Sequence, residues 1–375
     1  MTDLPTCMRA VLLTGHGGPE VLELRDDVPL PTPAYGEVLI AVGACGINNT
    51  DINTRVGWYS KRVTGATPGA DGASGVSDDA DDGGWGAALR FPRIQGADVA
   101  GRIVAVGEGV AASRVAERVL VDPWLRDPDD PADRSKAGYL GSERDGGFAE
   151  YTTVPSVNAY AINSACSDAE LATFPCASST AEHMLTRAAL EEGETVVVTG
   201  ASGGVGSALV QLAKRRGAFV IAIAGRTKLD AVRALGADFV VARDSFDLAA
   251  AVRAHAPGGE IDVAADIVGG AGFTMLIDLL RRGGRYVTSG AIAGPIVDLD
   301  LRTLYLRDLT LIGATVMPRD IFARLVDYIE KGEIKPLLAK TFDLADLAAA
   351  QTEFLAKTHV GNFVVVPPEA SRRRS

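Results

Sequence analysis

Residues 196–206 read VVVTGASGGVG, a β-branched run that breaks into a glycine-rich turn. Gly200, Gly203 and Gly206 stand three apart, directly after a strand pattern and directly before the helical pattern Val205, Leu209, Leu212, Ala213. Without side chains such a turn bends tightly, and its amides and the following helix N-terminus can meet a pyrophosphate. The spacing alone is weak, but the strand–turn–helix setting makes it a dinucleotide cradle. Its candidate contacts are Gly200, Ala201, Ser202, Gly203, Gly204, Val205 and Gly206.

Outward from this turn the chain repeats a rhythm. Strand patterns begin near Val196, Phe219, Phe239, Ile261, Arg285 and Leu309, and helical stretches between them close on Gly217 and Gly236. Strands alternating with helices require crossovers, which predicts a doubly wound, mainly parallel α/β domain. The first 155 residues differ: short β-rich pieces (AVLLT, VLELRD, EVLIAVGACG, AGRIVAVG, ERVLV, AEYTTV) between Gly and Pro turns predict an irregular antiparallel domain. Inside it, residues 60–92 form a polar Gly/Asp-rich stretch that reads as a lid or as a floppy insertion. After Leu311 one more amphipathic helix is expected near Ile321–Glu330, and HVGNFVVVP returns as a strand.

With 375 residues and 47% hydrophobic content, two packed domains fit better than one. A net charge of −11 opposes binding to nucleic acid, and no basic run offers a patch for it. The absence of a long apolar run or signal-like start points to a cytoplasmic protein with no membrane partner. The four cysteines, at 7, 45, 166 and 176, lack Cys-x-x-Cys spacing and read as reduced thiols.

The second strand of the parallel domain ends in GRTK, placing Arg226 twenty residues beyond Gly206 with Lys228 beside it. An acid there would accept a ribose 2′-hydroxyl, whereas a cation suits a 2′-phosphate; the expected cofactor is NADPH, against the alternative of an ordinary solvated turn. Ser289 and Gly290, closing the fifth strand, would lie at the carboxyl edge where the ligands of such sheets bind.

The stretches GPEVLEL, GEVLIAVGACGINNTDI, GADVAGRIVAVGEGV, GGFAEYTTV, VVVTGASGGVGSALVQLAKRRGA and IDVAADIVGG resemble the medium-chain dehydrogenase/reductase superfamily from about Met8 to Pro367. The resemblance implies a GroES-like catalytic domain from residues 1–158 and 320–375, with 60–92 inserted, around a Rossmann domain at 159–319. It places Thr180 near the nicotinamide and phosphates, with helix N-capping as its other reading, and adds Asn362 to the cofactor set. LTLIGATVM resembles the edge strand through which such enzymes form homodimers.

Zinc-dependent members carry a cysteine and a histidine where this chain has Asn48 and Ala97, and only Cys176 keeps a ligand position. One thiolate cannot supply three ligands, so no metal is expected and Cys176 reads as a small buried residue. GINNTDINTRVGWY resembles the metal-free quinone oxidoreductase and enoyl reductase branch, although Asn53 stands where quinone reductases often have tyrosine. That branch implies NADPH-dependent reduction of an unsaturated carbonyl, a quinone or an enoyl thioester, with donors stabilising an enolate. Asn48 would orient the ribose or the substrate carbonyl, or else bond its own turn. Tyr59 would donate a proton, helped by Arg55 or Lys61, or else simply pack; Asp51 would fix the loop. The rival readings are a zinc alcohol dehydrogenase with altered ligands and a silent NADPH-binding protein.

Overall fold

The computed structural model describes residues 4–67 and 88–368, so most of the 60–92 segment lies outside the described residues. Six parallel strands form the nucleotide domain in the order Phe239–Ala242, Phe219–Ala224, Thr195–Val198, Ile261–Asp266, Leu280–Thr288, Thr310–Gly313. The strand order reverses between Thr195–Val198 and Ile261–Asp266, and the crevice of a doubly wound sheet opens at such a reversal. The central strands are almost continuously apolar because helices cover both faces; Val196, Val197, Val198, Val220 and Ile221 are fully buried. The fifth strand ends at Thr288, so Ser289 and Gly290 begin the loop after it rather than closing the strand.

The other domain is built on a seven-stranded sheet. Its main path runs Ala159–Ala161, Arg118–Val121, Asp98–Val106, Glu37–Ile47, Asn362–Val366, Leu338–Asp343, with Tyr151–Pro155 also pairing onto Glu37–Ile47. The pairing is antiparallel apart from Leu338–Asp343 against Asn362–Val366, so the chain end joins the sheet built by the chain start. A second helix after Leu311, Leu347–Leu355, accompanies the expected one at Arg319–Glu330. Its Ala-rich sequence, LAAAQTEFL, carries a weak stripe, and packing of Leu347, Ala350 and Phe354 makes it helical.

Helix Pro175–Arg187 runs between the two bodies. It packs against Gly204–Arg215 and Arg319–Glu330 within an apolar core that also holds Ala44, Ala100 and Val364 of the catalytic sheet. Because this helix begins at Pro175, Thr180 lies inside it and caps nothing. None of the described helices is long and apolar enough to cross a membrane.

Candidate active site

The glycine turn has the geometry its spacing predicts. Gly200 sits at φ +58°, in the left-handed region, and a Cβ on Gly206 would stand 2.1 Å from the Gly200 carbonyl oxygen, so the two backbones meet with no room for a side chain. Gly203 precedes helix Gly204–Arg215 without a side-chain cap, leaving the helix N-terminal amides open to an anion. Ala201 is buried and its N–H donates to the Ile223 carbonyl, while Val205 packs against the core. The return segment lies across this turn: the Gly361 N–H donates to the Ser202 carbonyl at 3.0 Å, and Asn362 Oδ1 occupies the space above Gly204. Asn362 Nδ2 donates to the Thr173 carbonyl at 3.4 Å. These features fit a dinucleotide.

At the reversal of strand order stands Asp266, which local patterning did not single out. Its buried carboxylate accepts from the Thr199 hydroxyl, from the Tyr286 hydroxyl at 2.6 Å, and from the N–H groups of Val268 and Gly269 at 2.9 and 3.1 Å. One carboxylate therefore ties together the ends of three adjacent strands.

A buried polar cluster gathers at Asn48, Asp51, Asp98 and Cys176. Asp51 reaches back from the first turn of helix Asn49–Arg55 and accepts from the Asn48 N–H at 2.7 Å, the loop-fixing role expected of it. The Asn48 side chain closes a capping box with the backbone of Asp51 and also reaches outward: Nδ2 donates to Asp98 Oδ2 at 2.9 Å, and Asp98 Oδ1 accepts the Cys176 N–H at 2.7 Å. Asp98 thus joins all three residues that the resemblance sets at ligand positions, one of them through its neighbour Ala97. Burial lifts the Asp98 carboxyl to about 8 and the Asp51 carboxyl to about 7, against the few hydrogen bonds that favour their charged forms.

Zinc does not fit this donor set. Asn48 offers an amide already engaged, Ala97 offers a methyl group, and Cys176 by itself cannot complete a ligand set. Among the described residues no group of three or more His, Cys, Asp or Glu is placed to hold a metal ion. The Cys176 sulfur instead interacts with the Tyr139 and Thr180 hydroxyls, in a pocket wall shared with Trp124, Met317 and Ile321.

Tyr59 lies within reach of the same centre, since burial first, and then the charges at Cys176 and Asp51, raise its phenol well above the usual value. The Asn53 side chain hydrogen-bonds that phenol. Arg55 is buried and engaged elsewhere, donating to Gln351 Oε1 at 3.0 Å and to the Gly17 carbonyl. Of the two expected 2′-phosphate cations, Arg226 is 63% exposed and pairs with Asp244 at 3.1 Å, whereas Lys228 is turned inward onto the carbonyls of Lys357 and His359. Ser289 is half-buried just past the fifth strand. A cavity of about 320 Å³ lies elsewhere, beside Met8, Arg93 and Arg144, where Arg93 pairs with Asp145 and Arg144 with Glu37.

Comparison with known proteins agrees with this geometry. Residues 34–164 match the model of the alcohol dehydrogenase GroES-like domain, and residues 204–331 match that of the zinc-binding dehydrogenase. A solved structure from Sinorhizobium meliloti 1021, named provisionally as an alcohol dehydrogenase, is 51% identical, with a TM-score of 0.88 and 98% of each chain covered. The chain belongs to the medium-chain dehydrogenase/reductase superfamily. It is similar to the acryloyl-coenzyme A reductase of Metallosphaera sedula, 29% identical over 96% of this chain and 99% of the relative. It is equally similar to an NAD-dependent alcohol dehydrogenase of Sulfolobus acidocaldarius, 29% identical over 90% of this chain and 94% of the relative. The superfamily makes it an oxidoreductase with a nicotinamide-dinucleotide fold.

Proposed function

We propose that the protein is an NADPH-dependent reductase of an activated double bond in an α,β-unsaturated carbonyl, a quinone or an enoyl thioester, working without a metal. The observation that carries this reading is the Asn48–Asp98–Cys176 arrangement, in which Asp98 accepts from the Asn48 amide and from the Cys176 backbone N–H at the positions where zinc-dependent relatives keep ligands. Without a Lewis acid the alkoxide chemistry of simple alcohols loses its main stabiliser, while an enolate spreads its charge and needs only aimed donors.

When bound, the reduced nicotinamide supplies the hydride. The glycine turn and the helix behind it hold the pyrophosphate, and exposed Arg226 is free to exchange Asp244 for a 2′-phosphate. Asn48 spends one amide hydrogen on Asp98 and keeps the second for the ribose or the substrate carbonyl. The raised Tyr59 phenol stays protonated across the physiological range and so is a donor rather than a base, with Asn53 steadying it. The Thr67 N–H donates to the Ile292 carbonyl just beyond Ser289.

We further propose a homodimer acting in the reducing cytoplasm, with all four thiols free. Strand Thr310–Gly313 is the uncovered edge of the parallel sheet, and Leu311, Leu301, Tyr305 and Leu306 stand exposed along it and the helix before it.

The test is a screen of enones, quinones and enoyl thioesters with NADPH and with NADH, run beside zinc determination on the same preparation. Faster NADPH consumption on unsaturated substrates in zinc-free protein is the expected result. Oxidation of saturated alcohols that requires stoichiometric zinc would overturn the proposal in favour of the alcohol dehydrogenase reading.

A further inference from the structure

Tyr139 stands on a short ribbon in which Trp124–Leu125 pairs antiparallel with Gly138–Tyr139. The Tyr139 and Trp124 rings meet at 64° with centroids 4.9 Å apart. Several bonds pin this ribbon: Asn158 Nδ2 donates to the Trp124 carbonyl at 2.8 Å, and Arg126 donates to Asp122 and to the Met317 carbonyl, both at 2.7 Å. The Tyr139 carbonyl accepts the N–H groups of Ser142 and Glu143 at 3.1 Å. Tyr139 is buried, and its hydroxyl donates to the Cys176 sulfur, as the Thr180 hydroxyl also does. Thr180 is the partly exposed member of this group.

Sulfur is a weak acceptor, so this bond keeps the phenol aimed while holding its hydrogen loosely; an oxygen carrying negative charge would take that hydrogen from it. Burial, and next the charge at Cys176, raise the phenol well above its usual range, so it stays protonated and acts as a donor. The charges of Asp98 and Asp51 act on it too, which brings the hydroxyl to the Asn48–Asp98–Cys176 cluster from the side of the ribbon. Ala97, where zinc-dependent relatives carry a histidine, belongs to the same packed group as Tyr139, Cys176 and Trp124. A small side chain at 97 leaves volume that the larger ring helps to close.

We propose that the Tyr139 hydroxyl exchanges the Cys176 sulfur for the substrate's carbonyl oxygen and stabilises it as it becomes an enolate, the polarising role a metal has in zinc-dependent relatives. This rests on the reading of the protein as a reductase of unsaturated carbonyls. A hydride from the reduced nicotinamide, which is oxidised, forms the new bond at the β-carbon; the alkene pair moves between the α- and carbonyl carbons, and the carbonyl pair moves onto oxygen. Tyr139 keeps its proton throughout and gives that oxygen a hydrogen bond in place. The proton that then reaches the α-carbon and restores the carbonyl comes from the Tyr59 phenol, which solvent reprotonates.

The experiment compares the full-length protein with Tyr139→Phe and with a form carrying 3-fluorotyrosine at position 139. It reads the single-turnover rate of hydride transfer from NADPH to an enone, NADPH affinity by tryptophan-to-nicotinamide energy transfer, and ligand-free melting curves. Phenylalanine keeps the ring against Trp124 and removes only the hydroxyl. Its hydride-transfer rate should fall roughly a hundred- to thousandfold, the size of one lost oxyanion donor, while NADPH affinity and the melt stay the same. Fluorotyrosine keeps the bond and is the more acidic donor, so it should speed hydride transfer, and it reads the same role if the phenylalanine variant does not fold. An undiminished rate in folded Tyr139→Phe, a loss explained by NADPH affinity, or a fluorotyrosine form no faster than the unaltered protein overturns the proposal and leaves the reductase reading standing. Failure of the unaltered protein to reduce any enone, quinone or enoyl thioester overturns both.

Discussion

Replacing Asp98 by asparagine probes whether its buried carboxyl holds a proton. The introduced amide oxygen can still accept the Cys176 N–H, and the Asn48 amide can turn its own oxygen toward the new NH₂ in exchange for its capping bond to Asp51, so the packing survives. In the folded state burial holds Asp98 at about 8 and Asp51 at about 7, against about 4 in an unfolded chain. Below about pH 4 both states keep these protons and ionisation has no effect on stability. Between about pH 4 and 7 the unfolded chain releases them and the fold does not, so each carboxyl lowers stability by about 1.4 kcal/mol per pH unit, a decline that levels off near pH 8. Removing one of the two means that from pH 5 to 7 Asp98→Asn should lose roughly 2–3 kcal/mol less than the unaltered protein. Urea unfolding at half-unit steps from pH 5 to 8.5 measures this, and titrating groups remote from Asp98 cancel in the difference. Parallel stability profiles for the two proteins would show that Asp98 is ionised in the fold and would refute the reasoning.

Three further outcomes follow from single contacts. Gly206→Ala places a methyl group against the Gly200 carbonyl oxygen; the turn must open, with a stability loss of about 1–3 kcal/mol by thermal melting and loss of the protection that added NADPH gives. Tyr59→Phe should reduce turnover of an enone roughly a hundredfold or more while dinucleotide affinity stays the same, and full activity would leave Tyr59 a packing residue only. Leu311→Asp puts a charge on the exposed sheet edge and should convert a dimer into a monomer in sedimentation, whereas a monomeric starting protein would refute the dimer proposal.

Local pattern was enough for much of this molecule. The run from Val196 to Gly206 carries its own explanation, because a buried parallel strand, a turn only glycine can make and a helix with open amides are all short-range consequences of residue type. The parallel order of the nucleotide domain follows from strands that alternate with helices, and the loss of the metal-ligand side chains at Asn48 and Ala97 is visible residue by residue. Tertiary structure alone decided the partners. Asn48 and Asp98 lie 50 residues apart, Lys228 and Lys357 129, and Arg55 and Gln351 296, and no periodicity reports which side chain a folded neighbour will offer. Hence Arg55, four residues from Tyr59 in the chain, belongs to another contact, while Asp98, Asp266 and Tyr139, unremarkable in sequence, sit where charge matters most. A residue's spacing sets the element it joins; what it can do chemically depends on burial and on groups brought to it from distant parts of the chain.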